Sequence, residues 1–111
     1  MRSAAVVEDR LFRALADPSR RAIFESLTRG EAAVKDLTAR FDISQPAVSQ
    51  HLAALKDAGL VSDRREGRCA YYKVEPRGMK PLVDWIAFHR AFWTEHVDRL
   101  EKLLERMDRP R

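Results

Sequence analysis

With 111 residues and 45% hydrophobic content, the chain is long enough for one domain with a single modest core and too short for a second independent domain. Its 21 Lys and Arg residues outnumber 17 Asp and Glu, and the net charge of +4 favours encounters with polyanions. The single cysteine, Cys69, excludes an internal disulfide, and no apolar run reaches the roughly 18 residues of a membrane span, so we expect a soluble cytoplasmic protein.

Two amphipathic helices are predicted at the start of the chain. Leu11 and Leu15 recur at helical spacing within residues 6–16, which predicts the first helix. Asp17 followed by Pro18 resembles an N-cap with proline at the first helical position, so the second helix is predicted to begin there. Its buried face is predicted to consist of Ile23, Phe24 and Leu27.

A short third helix over about residues 33–40 leads through "FDIS" into a fourth helix, which is the spacing of a helix-turn-helix over about residues 33–58. Ser44 is a natural N-cap, Pro46 lies in the first turn, and Gly59 supplies a left-handed exit. The buried stripe of the fourth helix is predicted to consist of Val48, Leu52 and Leu55.

The flanks and opposite face of the fourth helix carry Gln45, Ser49 and Gln50, and this outer surface is small, polar and uncharged. An ordinary solvated helix more often carries several Lys and Glu there, whereas short amide and hydroxyl side chains suit hydrogen bonds to base edges in a major groove. The alternative is an exposed helix that happens to be polar. His51 lies at the edge of the apolar stripe, so it fits a packed, hydrogen-bonded histidine as well as a phosphate contact.

The stretch "SDRREGRCAYYKV" predicts two strands that turn at Gly67, in a β-wing over about residues 60–75. Three arginines lie beside this turn, which favours phosphate or minor-groove contact over a solvated hairpin tip. Lys56 is a weaker phosphate candidate. The predicted DNA-binding residues are Ser44, Gln45, Pro46, Ser49, Gln50, His51, Lys56, Arg64, Arg65 and Arg68.

Residues 81–107 are predicted to form one long C-terminal helix with an apolar stripe on alternating four- and three-residue steps. This stripe has no complete partner within the chain, and exposing it on a monomer would be atypical. We therefore expect a twofold homodimer in which this helix packs against its mate, with help from the first helix. The predicted interface residues are Leu11, Leu82, Ile86, His89, Trp93, His96, Leu100 and Leu103.

From "LFRALADPSRRAIFESL" through "ISQPAVSQHLAALKDAGLV" and "RREGRCAYYKV" to the last helix, the chain resembles the ArsR/SmtB family of bacterial winged-helix repressors. The "SQPAVSQHL" helix with the "GRCAYY" wing is the specific part of the resemblance. It implies a mainly α fold with a small β-hairpin, in which one winged helix-turn-helix domain spans residues 1–111. The resemblance also implies a homodimer formed through the N- and C-terminal helices, which binds operator DNA and is usually a repressor relieved by an inducer.

The metal sites that this resemblance brings with it are not matched by the sequence. The third helix has "EAAVKDL", with Val34 and Lys35 where metal sensors of the family carry a thiolate pair. On the last helix, His89 and His96 are seven residues apart on one face, but their spacing departs from that of zinc sensors. We expect a metal-free branch of the family with no cofactor and an unidentified inducer, and a zinc-type repressor using His89 and His96 stays open as an alternative.

Two other functions compete with a DNA-binding regulator. A winged-helix protein-interaction module would use the aromatic last helix to bind another protein. An enzyme is disfavoured because the sequence has no nucleophile, base and oxyanion arrangement and no glycine-rich phosphate loop. We expect a dimeric repressor on an inverted-repeat operator. The fourth helix of each copy is expected to enter a major groove, with the two grooves about one helical turn apart.

Overall fold

The computed structural model describes residues 4–108, with side chains from residue 9 onward, and in that range it has six α-helices, one 3₁₀ helix and three strands. In chain order these are α1 (Ala4–Ala16), α2 (Pro18–Leu27), β1 (Ala32–Ala33), α3 (Val34–Arg40), α4 (Gln45–Asp57), β2 (Val61–Glu66), β3 (Cys69–Val74), the 3₁₀ helix (Pro76–Met79), α5 (Lys80–Phe88) and α6 (Arg90–Asp108). The mainly α class with a small antiparallel sheet is confirmed. The contacts within the chain divide it into two compact units, one ending at Pro81 and one beginning at Leu82.

The first unit has a core built from one face of each helix and the start of the wing. The predicted stripe of α4 is fully buried, and α2 contributes its predicted face. The buried apolar residues of this core are Leu11, Ala14, Ile23, Phe24, Leu27, Ala32, Ala33, Leu37, Val48, Leu52, Leu55, Leu60 and Val61. Burying these side chains is the main favourable contribution to folding of the unit.

Both predicted N-caps are present. The Asp17 carboxylate accepts a hydrogen bond from the backbone N–H of Arg20 at 3.0 Å, with Pro18 at the first position of α2. The Ser44 hydroxyl accepts from the backbone N–H of Ala47 at 3.3 Å. Each cap satisfies one of the N–H groups that a helix leaves without an internal partner, so the start of each helix is determined locally.

The exit of α4 is a Schellman motif at Gly59, which has φ +79°. The N–H of Gly59 donates to the carbonyl of Lys56, and the N–H of Leu60 donates to the carbonyl of Leu55, both at 2.9 Å. Gly78 of the 3₁₀ helix lies against this exit so closely that a Cβ atom there would be 1.6 Å from the Gly59 carbonyl oxygen. Gly78 therefore makes the close approach of these two backbone segments possible, while Gly59 supplies the positive φ of the helix exit.

The sheet has three antiparallel strands in the order β1-β3-β2, not the two strands predicted from the sequence. The hairpin closes at Glu66↔Cys69, with Gly67 at φ +62° in the first position of a two-residue loop. The additional strand, β1, pairs Ala32↔Tyr72 and Ala33↔Tyr71. Two alanines are too few to show a period-two pattern, so this strand cannot be recognised from the sequence alone.

The prediction of a single C-terminal helix over residues 81–107 is wrong, because the helix is interrupted at His89 between α5 and α6. The N–H of His89 still donates to Trp85, and the N–H of Trp93 donates to His89, so the interruption covers one residue. The side chains at this point are bulky aromatics and histidine, which have only moderate helix propensity. The apolar periodicity reports the face that these residues share and not the continuity of the backbone.

The second unit leaves much of its apolar surface accessible in the single chain. No helix among the described residues combines the length and apolarity needed to cross a membrane. The large exposed apolar side chains of α5 and α6 are Val83, Ile86, Phe88, Phe92, Trp93, Val97, Leu100, Leu103, Leu104 and Met107. Neighbouring exposed apolar side chains of this kind are typical of interaction surfaces.

Candidate nucleic-acid interface

The outer face of α4 is exposed and carries no charge over its first two turns. Gln45, Pro46, Ser49 and Gln50 are all exposed, with Gln45 beside the buried stripe and the other three farther round the helix. Because α4 has 13 residues, it is about 20 Å long, enough to follow part of a major groove. The exposed position of these four side chains is the one expected from the helical spacing.

A cleft of about 400 Å³ lies beside this face, between α3, the start of α4 and the wing. Gln45 and Ser49 line it from the helix, and Arg65 and Arg68 line it from the wing. The sequence predicted all four as DNA-binding residues, and the fold brings them to one concave surface. Lys35 of α3 also lines the cleft, and the sequence does not indicate this because no spacing along the chain relates α3 to the wing.

Arg64 points to a different set of partners. Its Nη2 and Nε donate to the Glu31 carboxylate at 2.6 and 3.2 Å, and its Nη1 donates to Glu66 at 2.7 Å. The guanidinium also lies over the ring of Tyr71, 4.6 Å from its centre. Hydrogen bonding to Arg64 holds the pKa of Glu31 below its usual range, and the two carboxylates raise the pKa of Arg64.

Lys56, the weaker phosphate candidate, is paired within the protein. Its Nζ lies 2.9 Å from the carboxylate of Asp63 on β2. This hydrogen bond raises the pKa of Lys56 and lowers the pKa of Asp63. Lys56 and Arg64 thus connect the wing to α4 and to the residue before β1, while Arg65 and Arg68 form no ion pair with any residue whose side chain the structure describes.

His51 is half-buried on the side of α4 that faces the start of α2. Its Nδ1 is buried and has no hydrogen-bond partner among the described residues. The backbone N–H of Arg20 is the main cause that lowers the pKa of Asp17, and the nearby charge of His51 contributes less. This position favours the packed alternative for His51, although the expected hydrogen bond is not formed.

The residues predicted for a dimer interface divide into two groups. Leu11 is only 1% exposed, so it belongs to the core of a single copy and offers no surface to a second one. The others, which α5, α6 and the residue between them carry, are exposed or half-buried: Leu82, Ile86, His89, Trp93, His96, Leu100 and Leu103. Apart from Leu11, the predicted set therefore lies on accessible surface of the second unit.

The two histidines of this unit are packed with aromatic rings. The His89 ring lies 4.8 Å from that of Trp85 and 4.9 Å from that of Phe88. The His96 ring stacks on Phe92 at 3.9 Å, and its Nδ1 forms a hydrogen bond with the Phe92 carbonyl at 2.9 Å. Within the described residues of one copy, no three His, Cys, Asp or Glu side chains are grouped as a metal site would require.

The chain is similar to known proteins in both its sequence and its fold. Residues 17–63 match the family described as "Bacterial regulatory protein, arsR family". The chain is 41% identical to the HTH-type transcriptional regulator Rv2034 of Mycobacterium tuberculosis, over 87% of this chain and 88% of that protein. It is 36% identical to the transcriptional repressor SdpR of Bacillus subtilis, over 68% and 84% of the two chains. A crystal structure of an ArsR family transcriptional regulator superposes with a TM-score of 0.74 at 31% identity, covering 85% of this chain and 97% of that one.

Proposed function

The chain belongs to the arsR family of bacterial regulatory proteins, which makes it a DNA-binding transcriptional regulator and not an enzyme, and we propose that it acts as a homodimeric repressor on an inverted-repeat operator. The observation that carries the proposal is the exposed, uncharged face of α4 beside a cleft lined by Lys35, Arg65 and Arg68. The polar face of α4 can form hydrogen bonds to base edges in a major groove, and the neighbouring cations can contact the phosphates that border the groove.

The proposal assigns base contacts to α4. It assigns phosphate contacts to the cleft beside α4 that Lys35, Arg65 and Arg68 line, which we call the wing cleft. Gln45 and Gln50 carry amides able to pair with a base edge in two places, and a good bidentate pair gives about 1–3 kcal/mol of base discrimination. Ser49 adds a hydroxyl, and Pro46 an apolar contact for thymine methyl groups. Arg65 and Arg68 neutralise phosphates and fix the position of the protein on the duplex.

The proposed dimer uses the apolar surface of α5 and α6. Trp93, Leu100 and Leu103 are 41%, 54% and 46% exposed in one copy, and a twofold axis lets one such patch cover another. Because Leu11 is buried, it is left out of the proposed interface. Two copies would present their α4 helices to successive major grooves about 34 Å apart.

The remaining assignments follow from this role. We propose that residues 1–111 act as one functional domain in the cytoplasm, where the chromosome of a bacterium lies, with residues 33–58, 60–75 and 81–107 as reader, wing and dimer segment. The ring of His96 stacks on that of Phe92 on the exposed apolar surface of α6, which supports an interface role for it. The proposal includes no metal cofactor and allows for an inducer of unidentified chemistry.

Two measurements on the purified protein test the proposal. Light scattering after gel filtration should give the mass of two copies, about 26 kDa by doubling 12.8 kDa. Selection of bound sites from random duplexes should return an imperfect inverted repeat, and a footprint on it should show dyad symmetry. A monomer indifferent to DNA would support the protein-interaction module instead, and a footprint without symmetry would contradict the dimeric geometry.

A further inference from the structure

A second cleft, of about 520 Å³, lies on the other side of α4 from the wing, among α1, α2 and the end of α4. Ala54 and Ala58 line it. Ala54 is nine positions after Gln45, and Ala58 is nine positions after Ser49, both of which line the wing cleft. At 100° per residue nine positions correspond to half a turn of the wheel, so the two clefts lie on opposite flanks of α4.

The charge of this second cleft is predominantly positive. Arg10, Arg13 and Arg20 line it, and Asp57 is its one acidic lining residue. None of the three arginines has a carboxylate within ion-pair distance among the side chains that the structure describes. Neighbouring guanidinium groups repel each other, and that repulsion is relieved when an anion binds between them.

Arg20 supplies a second, independent observation. Its Nε is buried and donates to no acceptor in the described part of the chain, and its Nη1 reaches the Arg13 carbonyl only at 3.5 Å. The nearby Asp17 carboxylate caps α2 through the backbone N–H of Arg20 and not through its side chain. A buried Nε–H donor without a partner is costly, and a rotation of the half-buried Arg20 side chain would bring that donor to an acceptor in the cleft.

We propose that this cleft binds a phosphate group through Arg10, Arg13 and Arg20. A guanidinium presents several N–H donors in a planar fork that matches the oxygens of a phosphate, and three of them suit a dianion better than a single carboxylate. The bound group would lie directly against Ala54 and Ala58, so its presence would act on α4 itself.

Two sources supply this chemistry. The first rests on the proposed function: a helix in a major groove has a phosphate backbone on each side, and the wing cleft serves one side while this cleft serves the other. The second is a small phosphorylated compound, since a cleft of this volume lies within the range of ligand pockets. Both require the same three arginines.

The experiment compares the full-length protein with the double variant Arg13→Gln/Arg20→Gln and with Arg29→Gln, an exposed arginine two residues after the end of α2 that does not line the cleft. Inorganic phosphate is titrated at constant ionic strength while the backbone amide signals of Ala54 and Ala58, which line the cleft in every variant, are followed by NMR. We expect saturable shifts in the wild type and in Arg29→Gln that are absent from the double variant. Arg10→Gln, at an exposed position, serves as a second variant if the double variant unfolds.

The second arm measures the slope of log affinity against log salt for the selected operator. A slope smaller in the double variant by about 1 for each lost phosphate contact, and unchanged in Arg29→Gln, identifies the duplex as the source. An unchanged slope with phosphate shifts that depend on the arginines identifies a soluble phosphate compound. If neither the phosphate-dependent shifts nor the change in slope is observed, the proposal is overturned. If the protein binds no operator at all, the proposed function fails while the phosphate titration still decides this site.

Discussion

The guanidinium of Arg64 joins the Glu31 carboxylate through two hydrogen bonds, at 2.6 and 3.2 Å, although the residues are 33 positions apart. Glu31 precedes β1, and Arg64 lies in the middle of β2, so the bond ties the wing to the strand at the other edge of the sheet. Glu66 and the Tyr71 ring occupy the rest of the guanidinium. Arg64 is therefore suited to holding the wing in position, and Arg65 and Arg68 stay the two wing arginines that we propose to contact DNA.

The first prediction separates these roles by their salt dependence. Arg64→Ala should weaken operator binding while leaving the slope of log affinity against log salt unchanged, because it loosens the wing without removing a phosphate contact. Arg65→Ala/Arg68→Ala should reduce the slope by about 2, since each lost phosphate contact accounts for about 0.9. Hydrogen exchange of the β2 and β3 amides should become faster only in Arg64→Ala. A reduced slope for Arg64→Ala would place that residue on the DNA.

The second prediction concerns acid. Because the pKa of Glu31 is lowered from its ordinary value of 4.5, its ion pair stabilises the fold fully above that value and is lost as the pH falls through the lowered pKa. The difference in melting temperature between the wild type and Glu31→Gln should therefore be largest near neutral pH and shrink as the pH falls below 4.5. Glu25→Gln, an exposed carboxylate on α2, is the control. A difference that stays constant with pH would remove the ion pair as its cause.

The third prediction tests base reading by α4. Gln50→Ala should lower affinity for the selected operator by roughly 5- to 150-fold, the equivalent of about 1–3 kcal/mol, because an amide that discriminates between bases is lost. Affinity for random-sequence duplex of the same length should change little, since that binding depends on phosphates. Equal losses on both duplexes, measured at one salt concentration, would exclude Gln50 from base contact.

The fourth prediction tests the dimer surface. Leu100→Asp/Leu103→Asp should convert the protein to a monomer while its helical circular dichroism is retained, because both side chains are exposed in one copy and neither supports its core. Operator affinity should fall by about 10²-fold or more as the second half-site is lost. Lys102→Asp, which changes charge on the opposite side of α6, should stay dimeric. A dimer that survives the double substitution would place the interface elsewhere.

The fifth prediction concerns the close approach of the 3₁₀ helix to the exit of α4. Gly78→Ala should destabilise the protein by about 1–3 kcal/mol or more, because the new Cβ would meet the Gly59 carbonyl, a backbone group that has little room to move. Urea unfolding measures the change, and the exposed neighbour Arg77→Ala should stay close to the wild type. An unaffected Gly78→Ala would show that the two segments separate at little cost.

The features that the sequence predicted well are those determined within a few residues. The Ser44 cap, the buried stripe of α4 and the exit at Gly59 depend on neighbours along one helix, and each is present in the structure. The pairing of Arg64 with Glu31 was not foreseeable in the same way. It depends on β1, a strand of two alanines that carries no periodic signal of its own.

In the C-terminal segment, the sequence predicted the accessible residues but not the course of the backbone. Its apolar spacing correctly identified residues that share an accessible face, but the same spacing implied a continuous helix that His89 interrupts. Leu11 likewise has the periodicity of a helix face, and periodicity alone does not distinguish a face buried within one copy from a face kept for another.

The separation of buried and exposed positions along α4 has an evolutionary consequence. Val48, Leu52 and Leu55 hold the helix to the core, while Gln45, Ser49 and Gln50 contribute nothing to that packing. Exposed helix positions of this kind tolerate replacement with small changes in folding free energy. After a gene duplication, such a scaffold can acquire a new target sequence by exchanging a few outward side chains, without first having to be stabilised again.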